Sequence, residues 1–100
     1  MAVSIYYKNK FWSAGNSLGY LIITTTAGHI ADARLKKLLQ EIDENNLGNL
    51  SLDDLDEREM ILVRDTILHK TIPTIKGMES VASDEVDALL DDLADNLTET

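Results

Sequence analysis

Val3, Ile5 and Tyr7 alternate with Ser4, Tyr6 and Lys8, and the same beat of two carries through Lys10 to Phe11. The pattern predicts a strand over residues 3–12 with Val3, Ile5, Tyr7 and Phe11 on its buried face. Ser13-Ala14-Gly15-Asn16-Ser17 has turn chemistry, and residues 18–25, rich in Tyr, Ile and Thr, read as a second strand. A lone hairpin is marginal in water, so its apolar face needs cover. A helix beginning near residues 26–29 and running to about Glu44 would supply it, with Ala31, Leu35, Leu38, Leu39 and Ile42 on one side. After Asn45-Asn46-Leu47-Gly48-Asn49, Ser51 with Asp54 three residues on resembles a capping box, opening a second helical region to about Lys70. Its run Met60-Ile61-Leu62-Val63, followed by Ile67 and Leu68, predicts the most buried helix. Pro73 and Gly77 mark an irregular connection, in which residues 71–76 are a candidate short edge strand. Ser83 is a good N-cap for a last helix, along which Val86, Leu89, Leu90, Leu93 and Leu97 form one stripe. The expected fold is a single α+β domain over residues 1–100: an N-terminal hairpin, with a third short strand as an option, packed against about three helices.

Composition narrows the classes. A chain of 100 residues with 44% hydrophobic content can bury one modest core, and no apolar run approaches a membrane span. Cysteine is absent, which removes disulfides, thiolate metal sites and thiol nucleophiles, and residues 1–12 lack the features of a signal peptide. A cytoplasmic location is expected. The charge is uneven: residues 1–37 hold five bases against Asp32 alone, whereas residues 77–100 hold eight acids and no base. A field of that sign repels nucleic acid and anionic lipid and attracts basic surfaces.

On the last helix, Asp84, Asp91 and Asp95 fall opposite the leucine stripe, with Asp87 on one flank and Glu85 and Asp92 on the other. Asp87 with Asp91, and Asp91 with Asp95, are like-charge pairs four residues apart, each costing about 0.2–0.5 kcal/mol. Alternating Glu and Lys would have given solubility while stabilising the helix, so the all-acid face suggests a surface for a basic partner. The alternative is a solvated tail.

Residues 43–54 resemble an EF-hand calcium loop between two predicted helices: Asp43 and Asn45 stand at ligand positions, Gly48 at the sharp turn, Leu50 at the apolar eighth position and Ser51 at the ninth. Leu47 stands where a side-chain oxygen is needed, and Asp54 replaces the longer closing Glu. An ordinary helix connection explains the same residues, with Gly48 at positive φ. Catalysis finds no constellation: His29 and His69 are far apart in sequence, no Ser lies in a nucleophile elbow, and Gly15, Gly19 and Gly28 do not form a phosphate loop. Arg34, Lys36 and Lys37 read as a solvated helix face, and Trp12, Tyr6 and Tyr20 as interface anchors or hairpin core.

Small size, acidity and the Asp84–Asp95 surface are together similar to the immunity proteins of bacterial contact-dependent growth inhibition and related toxin systems. The likeness carries no motif. It implies a non-enzymatic, cofactor-free cytoplasmic inhibitor, monomeric in a one-to-one complex with a cognate toxin, a basic nuclease domain whose nucleic-acid site it occludes. The contact surface would be Asp84, Glu85, Asp87, Asp91, Asp92 and Asp95, with Asp53, Asp56, Glu57 and Glu59 as a second patch. The inhibitor itself would contact neither nucleic acid nor membrane. The same charges suit a phage-type DNA mimic acting against restriction or CRISPR machinery, and residues 43–54 suit a calcium-dependent adaptor.

Overall fold

A computed structural model describes residues 2–45 and 47–98. The expected first strand is two. β1 (Ala2–Tyr7) and β2 (Lys10–Gly15) pair antiparallel through a two-residue turn at Lys8 and Asn9, whose φ values of 47° and 66° are those of a primed hairpin turn. A turn of even length carries the buried face across to the opposite parity. Tyr7 faces Lys10 and Ile5 faces Trp12, so Trp12 and Ala14 join Val3, Ile5 and Tyr7 in the core while Phe11 is 58% exposed. Phe11 therefore corrects the expectation that it lies inside.

The second correction is larger: residues 18–25 are not a strand but the middle of α1 (Asn16–His29). Its buried positions Leu18, Gly19, Ile22, Ile23, Thr26 and Ala27 recur at helical spacing, and the packing of that face on β1 and on helical segments later in the chain overrides the β preference of the Ile and Thr residues. The Thr24 and Thr26 hydroxyls bond back to Tyr20 O and Ile22 O at 2.9 and 2.7 Å, so neither competes with the helix. Gly19 is the point of contact with the sheet, because a Cβ there would stand 2.3 Å from Val3 Cβ. The chain leaves α1 at Ile30, extended and buried, and Asp32 starts α2 (Ala33–Glu44) by accepting from the amides of Arg34 and Leu35 at 3.0 and 3.1 Å. The single helix expected up to Glu44 is thus an antiparallel pair. Leu35, Leu39 and Ile42 face the core, whereas Leu38 is 37% exposed and Ala31 precedes the helix.

Gly48, at φ 76°, turns the chain into β3 (Asn49–Ser51), which pairs parallel to β1 and gives the sheet order β2-β1-β3. The third strand exists, but here rather than at residues 71–76. A 3₁₀ turn at Leu52–Asp54 follows, and Ser51 makes no side-chain cap. The cap of α3 (Glu57–Thr66) is Asp56 instead, accepting from Glu59 N at 2.8 Å. α3 runs without a break through a π-helical segment, Ile67–Thr71, into α4 (Ile72–Lys76). Pro73 lies inside this rod. Its ring would collide with the carbonyl four residues earlier, and the wider turn, with Ile72 N–H donating to Ile67 O, relieves that collision. Met60 to Val63 do not form the most buried helix: only Val63 is fully buried, and Ile61 and Leu62 are more than one-third exposed.

α5 (Asp84–Thr98) closes the fold against β2 and α4. All elements contribute to one contiguous hydrophobic cluster, centred on Ile5, Ile22, Leu35, Ile67, Leu90 and Leu93. The opposite face of the sheet carries Tyr6 and Phe11, whose ring centroids lie 5.6 Å apart. No helix among the described residues is long and apolar enough to cross a membrane.

Candidate partner-binding surface

Ser83 caps α5 as its sequence position predicts, accepting from Val86 N at 3.1 Å, and Asp84, Glu85 and Asp87 occupy the first turn where the helix dipole favours anions. The leucine stripe is docked. Leu90, Leu93 and Leu97 are fully buried and Val86 and Leu89 half-buried, while the Trp12 indole donates to Leu89 O at 2.9 Å and the Asn96 amide donates to Phe11 O at 3.3 Å. Burying those three leucines is worth about 1.5–3 kcal/mol each, enough to hold a helix whose like charges each cost a few tenths. Trp12 is accordingly a core residue, and Tyr20, half-buried, packs against the core with its hydroxyl unpartnered among the described residues.

With the stripe held inward, Asp84, Glu85, Asp92 and Asp95 are exposed on the outer face. Two acids of the expected set are differently placed. Asp91, although exposed, accepts from the Lys76 ammonium at 2.6 Å across to α4, and Asp87 is half-buried with one carboxylate oxygen enclosed and unpartnered among the described residues. The Asp91 hydrogen bond, then the charges of Asp91 and Asp87, raise the Lys76 pKa. Lys76, the last base in the chain, thus neutralises one flank of the helix and leaves the other acids free.

The second patch is largely structural. Asp53 accepts from Lys8 N–H at 2.9 Å and secures the hairpin turn, and Asp56 caps α3. Glu57 is exposed. Glu59 corrects the expectation of a surface contact: it is 4% exposed and its carboxylate pairs with the Arg34 guanidinium, tying α3 to α2. Spacing along one helix could not show which neighbour would claim it. The Asp53–Glu59 group stands at the junction of the 3₁₀ turn and α3, beside β1, and the Asp84–Asp95 group stands on α5 over β2 and α4. The structure does not join them on one element.

The remaining chemistry is internal or dispersed. Tyr7, buried, accepts from Arg64 at 3.1 Å, and Arg64 also pairs with Asp65. Burial pushes the Tyr7 pKa up, but the Arg64 hydrogen bond and charge, with Lys8 above the ring, outweigh it and set a net downward shift. In the EF-hand-like segment, Asp43 lines a groove between α1 and α2, Asp54 lines a different groove beside β3, and Asn46 lies outside the described residues. Asn49 and Ser51, the seventh and ninth positions of such a loop, stand in the extended strand β3 rather than curled around a central site. Among the described residues no three His, Cys, Asp or Glu side chains are grouped to hold a metal ion. Arg34 is ion-paired rather than simply solvated, while Lys37 is exposed. Set against family models, curated proteins and solved structures, the chain matches none.

Proposed function

We propose that this chain is an inhibitor of the immunity type, a non-enzymatic cytoplasmic protein that docks on the basic surface of a cognate toxin domain through the outer face of α5. The observation that carries the reading is the orientation of that helix. Its apolar stripe is spent on the core, so the acids that destabilise it are held outward on a supported scaffold, with Asp84 and Asp95 opposite the stripe and Glu85 and Asp92 on the flank away from Lys76. A preorganised anionic face loses little side-chain and backbone freedom on binding and steers a cationic partner during encounter. A nuclease domain fits as that partner because its own site is built to hold phosphates, and carboxylates on a rigid helix would occupy the same cations. The complex proposed is one partner per chain, docked on the face that α5 presents.

The test begins with capture of the binding partner from the native host and measurement of its association kinetics. Asp92→Lys combined with Asp95→Lys should slow association by about tenfold or more near 0.02 M salt, the deficit shrinking near 0.5 M. Asp91 is a poorer choice, because Lys76 already holds it. An association rate unchanged by the double reversal would sink the electrostatic reading.

A further inference from the structure

We propose that the free edge of β3, with the apolar groove beside it, binds an extended cationic peptide segment by strand addition. This site is separate from α5, and its test does not depend on the partner proposed above.

The parallel register places Ser4 opposite Asn49, Ile5 opposite Leu50 and Tyr6 opposite Ser51, with Ser4 N donating to Gly48 O at 2.9 Å. In such a ladder Gly48 and Leu50 direct their backbone groups to β1. The intervening residues turn theirs the other way. Asn49 N–H and C=O and Ser51 N–H therefore face outwards at the sheet edge, whereas Ser51 C=O is used by the 3₁₀ turn that follows. An unpaired strand edge is a template for another chain unless the protein blunts it with charge, proline or a covering element. At the other edge of this sheet, Asn96 from α5 occupies the Phe11 carbonyl. Among the described residues β3 has no charge, proline or covering element of its own; it is only three residues long, with Asn49 exposed and Ser51 half-buried.

Alongside β3 runs a groove of about 230 Å³, lined by the strand and by Leu38, Ile42, Leu47 and Leu55. Leu38 and Leu47 are 37% and 57% exposed, so the groove is apolar and open. Leu47 is also the residue that spoils the calcium-loop pattern, and a hydrophobic wall accounts for it where a metal ligand does not. The groove provides what strand addition requires: backbone partners for affinity and an apolar pocket for alternate side chains. Charge defines the occupant further. The groove has one base and one acid, Arg34 and Asp54; Arg34 is committed to Glu59, and Asp54 is exposed. Asp53, Asp56 and Glu57, all exposed, adjoin Asp54 in the chain and outnumber the neighbouring base Arg58, so an incoming strand gains by placing Lys or Arg beside Asp54.

The probe is the capped peptide acetyl-Val-Lys-Val-Lys-Val-Lys-amide, titrated into ¹⁵N-labelled full-length protein and followed by amide NMR. Saturable shifts at Leu38, Leu47, Asn49 and Ser51, with slowed amide exchange at Asn49 and Ser51, are expected. A peptide of the same sequence methylated at every backbone nitrogen should bind at least about tenfold more weakly, since it cannot join the ladder. Leu47→Ser and Asp54→Lys, both at exposed positions, should each weaken binding by about threefold or more. Three results would overturn the proposal: shifts confined to α5, equal binding of the methylated peptide, or no saturable shift at millimolar peptide.

Discussion

Gly19 and Gly28 lie on the same helix and face opposite fates. A methyl at Gly19 would meet all three side-chain carbons of Val3 at 2.3–2.9 Å, and Val3 is β-branched and fully buried, so α1 must lift from the sheet. Gly19→Ala should cost about 1–3 kcal/mol in urea unfolding. At Gly28 a methyl would meet nothing within 4 Å, and Gly28→Ala should stabilise by about 0.5–1 kcal/mol. A second residue-scale effect belongs to Asp32. The Leu35 amide, then the Arg34 amide and Arg58, lower its pKa, so the stability it contributes is complete above the usual aspartate range and is lost as pH falls through the lowered value. Asp32→Asn keeps an oxygen for the cap but removes the titration. Urea midpoints measured across the acid limb should fall less steeply for the variant there, and parallel curves would contradict the assignment. The first effect was not legible in sequence, because Val3 behind Gly19 is not a chain neighbour; of the second, the Arg34 and Leu35 amides are local to Asp32 and only Arg58 comes from a distant part of the chain.

At the scale of elements, α1 is joined to the π segment by one buried pair: Thr26 Oγ1 and Thr71 Oγ1 lie 2.7 Å apart. Thr26 also donates to Ile22 O, so its single proton is committed and Thr71 must be the donor between them. The two valine substitutions are therefore unequal. Thr26→Val strands the Thr71 hydroxyl in the core and should cost about 1–3 kcal/mol, while Thr71→Val leaves Thr26 its helical bond and should cost less. The double variant should cost less than the sum, which a double-mutant cycle in urea reads directly. This contact also explains why the Thr-rich segment resists reading as sequence. Leu18 to Thr25 has strand composition, and the positions that mark it as helix, Gly19 and Thr26, are identified only by what they touch. α5 is the opposite case: cap, dipole-matched acids and leucine stripe all reside within fifteen residues, and the structure reproduces them.

For the whole molecule, a net charge of −9 on a body with a radius of gyration of 12.4 Å means that most acids lie within a few Debye lengths of one another. Few bases offset them. Raising sodium chloride from about 0.01 to 0.15 M should therefore raise the urea midpoint, since screening of self-repulsion outweighs the weakening of exposed pairs such as Lys76–Asp91. A midpoint that falls with salt would show that the pairs dominate. By itself the sequence determined the α+β class, the alternation of β1, the last helix and the acidic sign of its outer face, because each is written in spacing and composition over a few turns. Tertiary structure alone decided that residues 18–25 coil rather than extend and that the third strand is Asn49–Ser51. It also decided that Pro73 sits in a helix, that Arg34 claims Glu59 and that Lys76 claims Asp91. Those outcomes depend on residues distant in the chain competing for the same buried surface or the same charge, and no local pattern encodes which of them arrives.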